Sequence, residues 1–178
     1  MRALPRIRNQ KNSPHCYAAA ICGVVEYHLD DGTRLDEEDF HDEVMEILGN
    51  RRANTTKVAL KHARDFGIPV KNSGRRVLIK DYKPVRPGDV WGYPEPLVIG
   101  CDIETGESLT KRLSKKSYIK RRLRGYHECV YVETISVAVI RIANSWGTKW
   151  GDKGYFYLKR TMQKSNDPFI MDAHEIFI

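Results

Sequence analysis

The stretch that most constrains this chain is Ala143-Asn144-Ser145-Trp146-Gly147-Thr148-Lys149-Trp150-Gly151-Asp152-Lys153-Gly154-Tyr155-Phe156-Tyr157. From Asn144 to Tyr155, twelve residues hold two tryptophans and three glycines. Glycine admits tight turns and positive φ at low steric cost. Each tryptophan can bury a large ring and still offer an N–H to a partner. β-rich runs flank the stretch, Val137 to Ile142 before it and Tyr155 to Leu158 after it. A rigid aromatic loop between two strands is a device for holding one polar side chain, Asn144, in a fixed orientation.

The first half of the chain reads as helices. Asn9 to Pro14 is rich in loop residues. Cys16 then opens a run through Tyr27 that is apolar almost all round and closes at Asp30-Asp31-Gly32. A helix of that character is buried, and Cys16 stands at its N-terminus, where the macrodipole favours a thiolate. Asp36 to Leu48 carries the stripe Phe40, Val44, Ile47 and Leu48, with acids in its first turn and Gly49 past its end. Thr55 or Thr56 can cap a third helix through Phe66, stopped by Gly67 and Pro69. The second half changes to short β-rich runs, Leu97 to Ile103 and Val130 to Glu133, with a hairpin turn expected at Thr134 to Ser136. Helices first and strands second predict an α+β fold. The chain of 178 residues is long enough for one domain with a real core, or two small lobes sharing one site.

The aromatic loop resembles the asparagine loop of papain-like cysteine peptidases, the papain and cathepsin family, which runs Asn-Ser-Trp-Gly, a short gap, Trp-Gly, a short gap, Gly-Tyr. That resemblance requires a glutamine and a cysteine six apart near the N-terminus, and a histidine ahead of the asparagine. Gln10, Cys16 and His127 meet the requirement. The resemblance extends from Asn9 to the C-terminus. It implies a papain-like two-lobe fold in a single domain, residues 1–178, with a helical lobe around a central helix over about 9–90 and a β-barrel-like lobe over about 91–178. The site would lie in the cleft between lobes. The implied activity is that of a cysteine endopeptidase on peptide or protein substrates, with Cys16 as nucleophile and His127 as acid and base. Asn144 would orient His127, and Trp146 would shield their contact from water. Gln10 and the backbone N–H of Cys16 would donate to the oxyanion. An imidazolium beside Cys16 would lower its thiol pKa. Asn54, Glu128, Trp150 and Ala173 are the implied substrate-binding residues, and no metal or cofactor is required.

Several positions depart from the family pattern. Its signature around the nucleophile, Cys-Gly-Ser/Ala-Cys-Trp/Tyr, appears as Ser13-Pro14-His15-Cys16-Tyr17. Ser13 removes one half of a disulfide, and Pro14 replaces a glycine. His127 and Asn144 follow Cys16 by 111 and 128 residues, where the family spacing is about 130–150. A Gly-Gly segment that pairs with substrate backbone appears as Ala53-Asn54. Glu128 stands where the family usually has a small residue lining the pocket for the second residue before the cut. A carboxylate there would favour Lys or Arg in the substrate, with Ala173 lining the same pocket. His15 precedes Cys16 but does not face it on a helix, so it reads as loop or cleft rim. Cys22 reads as core. The pairs His28/His41 and Cys101/Cys129 lack metal-ligand spacing. Nine residues precede Gln10, whereas family precursors carry a long helical pro-segment, which suggests a processed form or another kind of restraint.

The net charge of +7 favours acidic partners. Eight of the cations lie within the fourteen residues from Lys111 to Arg124, leading into His127. This basic segment reads either as a solvated face or as a docking patch for an acidic protein or a polyanion, with salt-dependent binding. Tyr118 and Tyr126 are too few for base stacking. No apolar run reaches the length of a membrane span, and Met1 to Pro5 hold no apolar core of a secretory signal. The cysteines form neither a zinc pattern nor a disulfide framework, so a reducing, cytoplasmic setting is expected. Two other functions remain open on the same fold. One is a thiol amidohydrolase or acyl-transferase. The other is a catalytically inactive binding module that docks an acidic partner through residues 111–124.

Overall fold

The computed structural model describes residues 4–11, 14–49, 54–102, 126–163 and 169–178. The apolar run that opens at Cys16 forms helix α1, Cys16–Leu29. Every residue from Tyr17 to Glu26 is buried, as a helix without a polar face must be. Asp30 ends it in the left-handed conformation, its N–H bonded to Glu26 O at 3.2 Å. Helix α2, Glu37–Leu48, is capped by the Asp36 carboxylate, which accepts from the N–H groups of Glu38 and Asp39. It buries Phe40, Val44 and Leu48; Ile47, expected in that stripe, is exposed.

Helix α3, Thr55–Asp65, starts after Asn54, which takes the left-handed conformation at φ 59 and makes no side-chain cap. The threonine cap expected there is not formed. Thr56 lies inside the helix, and its hydroxyl donates to the Glu128 carboxylate.

A short ladder pairs β1, Ile68–Pro69, with β2, Arg76–Val77. The main sheet is six-stranded and antiparallel. It contains β3, Asp81–Val85; β4, Leu97–Asp102; β5, Tyr126–Ser136; β6, Val139–Ala143; β7, Tyr155–Lys159; and β8, Ile170–Phe177. Their spatial order is β3-β8-β4-β5-β6-β7. The β5–β6 hairpin turns at Val137-Ala138, past the expected Thr134 to Ser136. Strand β3 joins the sheet from a position ahead of residue 91.

Two cores lie on the two faces of this sheet. Val130 and Val132 of β5 pack toward the three helices, whereas Cys129 and Tyr131 face the second core with Ile140 and Phe156. The period of two along a strand sets this division. Among the described residues, no helix is long and apolar enough to cross a membrane.

The N-terminal segment is tied to both halves. Arg8 places Nη2 2.6 Å from Glu26 Oε1 of α1, and its Nη1 bonds Glu37 of α2. On its other side the segment lies antiparallel to the aromatic loop. Gln10 N–H donates to Ser145 O at 2.7 Å, and Gly147 N–H donates to Arg8 O at 2.9 Å.

Arg8→Ala leaves Glu26 and Glu37 without their shared cation. Removing one partner of a buried ion pair costs about 3–5 kcal/mol, so urea unfolding should show a loss of that order. Arg8→Lys, which cannot fork between two carboxylates, should recover only part of it. A loss below about 1 kcal/mol in Arg8→Ala would place the pair in the weak, solvated class.

Candidate active site

Cys16 is the first residue of α1 and is partly exposed. Burial pushes its thiol up to about 11, and the Glu128 carboxylate pushes the same way; hydrogen bonds from the backbone of Glu128, Tyr17 and Cys16 itself pull against this. The contact with the Glu128 backbone sets the sulfur beside the peptide that follows His127.

His127 lies on β5 with its ring fully buried. Its Nε2 is 2.8 Å from Asn144 Oδ1. The same oxygen accepts from the Ser145 backbone N–H at 2.7 Å. An oxygen already accepting from one N–H faces Nε2 as an acceptor, which places the histidine proton on Nε2 and leaves Nδ1 with a lone pair. Nδ1 is buried without a hydrogen-bond partner among the described residues. Burial lowers the His127 pKa to about 4, against the opposing bond from Asn144. The indole of Trp146 packs on the ring at a tilt of 36° and a centroid distance of 4.8 Å, and Trp150 meets Trp146 edge-on at 5.1 Å.

The glycines of the loop make this possible. Gly151 (φ 56) and Gly154 (φ 94) are both left-handed, and a Cβ would meet Tyr155 O at 2.4 Å in the first and the Ile7 side chain at 2.4 Å in the second. Asn144 N–H then donates to Gly154 O at 2.9 Å, closing the loop on itself. Gln10 is buried against this loop, its Oε1 accepting from the Ser145 hydroxyl. With its oxygen held there, the other end of the amide is its NH2 donor.

Beside these groups a cleft of about 570 Å³ is lined by Cys16, Asn54, Tyr126, Glu128, Asp172 and His174. Across β5, β4 and β8, Glu128 pairs with Gly100, and Gly100 pairs with Asp172. The glycine is required, because a Cβ there would lie 2.5 Å from the Tyr126 hydroxyl. That hydroxyl sits 2.7 Å from Glu128 Oε1 and 2.7 Å from Asp172 Oδ2. One phenolic proton therefore serves two carboxylates. Burial raises Glu128 to about 7, Asp172 adds to this, and the bonds from Thr56 and Tyr126 oppose it.

The structure thus groups His127, Asn144, Trp146 and Gln10 around the loop, and places Cys16, Asn54 and Glu128 on the cleft. Four expectations are corrected. The lowered thiol pKa is not found: the thiol is high, the imidazole low, and His127 Nδ1 makes no hydrogen bond to sulfur. Burial of both groups disfavours a charged pair. Trp150 does not line the cleft; it is buried against Trp146 and Phe156. Ala173 also faces the second core, because a shift of one residue along a strand reverses the face. Its neighbours Asp172 and His174 line the cleft instead. His15 is not on the rim but buried, its Nε2 3.7 Å from Glu37 Oε1, while Cys22 is core as expected. Ser13, Ala53 and the basic segment 111–124 lie outside the described residues. Tyr126, Asp172, Thr56 and Gly100 were missed. Recognising Ile170–Phe177 as a strand would have separated Asp172 from Ala173.

The family model described as Papain family cysteine protease matches residues 115–172, a span that includes His127 and Asn144 but not Cys16 or Gln10. Solved structures share the fold over nearly all of this chain. A cysteine protease of Carica candamarcensis, in complex with E-64, is 18% identical with a TM-score of 0.70, covering 98% of this chain and 93% of its own. Procathepsin L 3 of the Tenebrio molitor larval midgut is 18% identical with a TM-score of 0.71, covering 99% and 67%. The proform of a ragweed pollen allergen cysteine protease is 17% identical with a TM-score of 0.75, and this chain spans 62% of its length. No curated protein matches by sequence. The fold is therefore papain-like, and the chain resembles papain-family cysteine proteases.

Glu128 ties stability to pH. Its pKa is about 7 in the folded chain against an ordinary value of 4.5. Between those values the folded state binds the extra proton, so stability is full below about 4.5 and falls as pH rises through about 7. Glu128→Gln removes this penalty. Relative to the parent it should gain about 2–3 kcal/mol between pH 4.5 and 8 in urea unfolding. Parallel pH profiles for the two proteins would refute the assignment.

Proposed function

We propose that this chain is a cysteine peptidase that hydrolyses peptide bonds through an acyl-enzyme on Cys16. The observation that carries the reading is the 2.8 Å contact between His127 Nε2 and Asn144 Oδ1 beneath Trp146. It occurs in a papain-like fold that sets Cys16 at the N-terminus of the central helix.

In this reading the resting pair is a neutral thiol and a neutral imidazole, and Nδ1 is the base. The thiol proton passes to Nδ1 as Sγ attacks the substrate carbonyl carbon. The oxyanion takes hydrogen bonds from the Gln10 side-chain NH2 and the Cys16 backbone N–H. His127 then gives its proton to the leaving amine, the C–N bond breaks, and a thioester remains on Cys16. Water attacks the thioester while Nδ1 accepts its proton. The C–S bond breaks, and the proton returns to sulfur. Asn144 keeps the proton on Nε2, and so the lone pair on Nδ1, throughout the cycle.

Wild type should hydrolyse fluorogenic peptides and take one epoxide adduct by intact mass, and Cys16→Ala should lose both. Gln10→Ala should keep the adduct but lose about 10²–10³ in kcat. A folded, reduced wild type that gives neither product nor adduct would end the proposal. A separate experiment addresses the protonation of the pair. Alkylation of Cys16 by uncharged iodoacetamide, without substrate, should keep accelerating toward pH about 11. A plateau reached below neutral pH would indicate a thiolate–imidazolium pair already formed at rest.

A further inference from the structure

Gln10 belongs to no helix or strand. It sits on a strap, residues 7–10, that lies along the aromatic loop through a bridge between Asn9 and Trp146 and through the bonds from Gly147 N–H to Arg8 O and from Gln10 N–H to Ser145 O. Ile7 and Asn9 press on the loop at its glycines: a Cβ on Gly154 would meet Ile7 at 2.4 Å, and one on Gly147 would meet Asn9 at 3.0 Å. Arg8 and Gln10 share the other side, by the period of two of an extended chain. Backbone pairing of this kind repeats along a strand, so side chains have to fix the register. Among the described residues, the ion pairs of the strap are those of Arg8. Its Nη2 lies 2.6 Å from Glu26 Oε1 on α1, and its Nη1 bonds Glu37 on α2. All three side chains are largely buried, at 9%, 4% and 15% exposure, and Glu26 Oε1 is itself held by the Leu35 N–H at 2.7 Å. A rigid guanidinium fork between two fixed carboxylates sets direction as well as distance. One of those carboxylates stands on the helix whose first residue is Cys16. The strap advances about 3.3 Å per residue, so a slip of one residue carries Gln10 out of hydrogen-bond reach and turns it to the other face.

We propose that Arg8 is a positioning residue: its fork between Glu26 and Glu37 sets where the Gln10 amide stands relative to Cys16. Arg8 touches neither the substrate nor the reacting atoms. It acts through Gln10, whose Oε1 is held by the Ser145 hydroxyl at the far end of the strap. The reacting carbonyl has to fit between the sulfur and the amide donor, so an error in the strap is felt when charge develops on the carbonyl oxygen and not when substrate binds. The cost of losing Arg8 therefore falls on kcat rather than KM. This inference rests on the peptidase reading for the use made of the Gln10 amide, whereas the dependence of Gln10 on Arg8 does not.

The test uses the full chain with Arg8→Lys, which keeps the charge but not the fork, and Glu37→Ala, which leaves Arg8 paired to Glu26 alone. Both retain part of the cluster, so the test does not depend on Arg8→Ala folding, and circular dichroism checks each variant. On a fluorogenic peptide each should lose about tenfold in kcat, with KM held within about threefold. In a Gln10→Ala background the same substitutions should cost less than about twofold more, because the effect passes through Gln10. Alkylation of Cys16 by iodoacetamide builds no oxyanion and should stay within about twofold of the parent rate. The placement of Gln10 is read without turnover, from its side-chain amide signals in a 15N–1H spectrum, assigned by their loss in Gln10→Ala; they should shift in Arg8→Lys and Glu37→Ala. Losses that add to that of Gln10→Ala, or a kcat unchanged in both variants, would overturn the positioning role and leave the peptidase reading standing. Shifted Gln10 signals in a chain whose parent neither hydrolyses peptides nor takes the epoxide would uphold the placement of Gln10 by Arg8 and refute the peptidase reading. Gln10 signals that do not move in either variant would overturn the proposal.

Discussion

The packing of α1 against β5 is the constraint on which the rest of the structure depends. Ala18 to Ala20 keep the helix surface shallow, and Gly23 lies against Val130, where a Cβ would make an ordinary contact at 3.6 Å. Shallow packing brings the first residue of the helix to the start of the strand. Cys16 therefore contacts the peptide between His127 and Glu128, and two residues far apart in sequence share one place. The area buried by an all-apolar helix, at about 25 cal/mol per Å², makes this arrangement hard to displace. Site geometry is inherited from core packing.

Buried charge is handled in two opposite ways. Arg8 lies between Glu26 and Glu37, so each carboxylate has a cation and the N-terminal segment is held against both helices. That anchoring carries Gln10 to the aromatic loop, where Ser145 holds its oxygen. Glu128 is equally buried but, among the described residues, receives only neutral donors from Thr56 and Tyr126, with a second carboxylate across Gly100. The first cluster is closed and structural. The second lies on the cleft wall and, among the described residues, leaves two buried carboxylate oxygens without a donor.

The resting electrostatics of the nucleophile follow from the same burial. A thiol at about 11 and an imidazole near 4 favour the uncharged pair. The helix N-terminus does act on Cys16 through its backbone N–H groups, but desolvation and the Glu128 charge outweigh it. Any charged form of the pair has to overcome that desolvation.

Much of this was legible in the chain itself. The all-round apolar run after Cys16, the Asp36 cap and the paired tryptophans and glycines identify three helices, the aromatic loop and the papain-like order of Gln10, Cys16, His127 and Asn144. These signals are local, set by helical period, capping chemistry and turn sterics. Strand β8 was not legible, because its alternation is broken by two adjacent buried residues, Ala173 and His174. Without it, neither the face of Ala173 nor the position of Asp172 could be read. Trp150 was misplaced for a related reason: a ring can pack inward or outward from the same loop, and only the neighbours Trp146 and Phe156 decide. The sequence by itself determined which residues are candidates for the chemistry and the order in which they come. The tertiary structure alone decided which strand face each one occupies and how far each is desolvated. Both depend on register and packing between segments distant in the chain, and desolvation sets the protonation states of Cys16, His127 and Glu128.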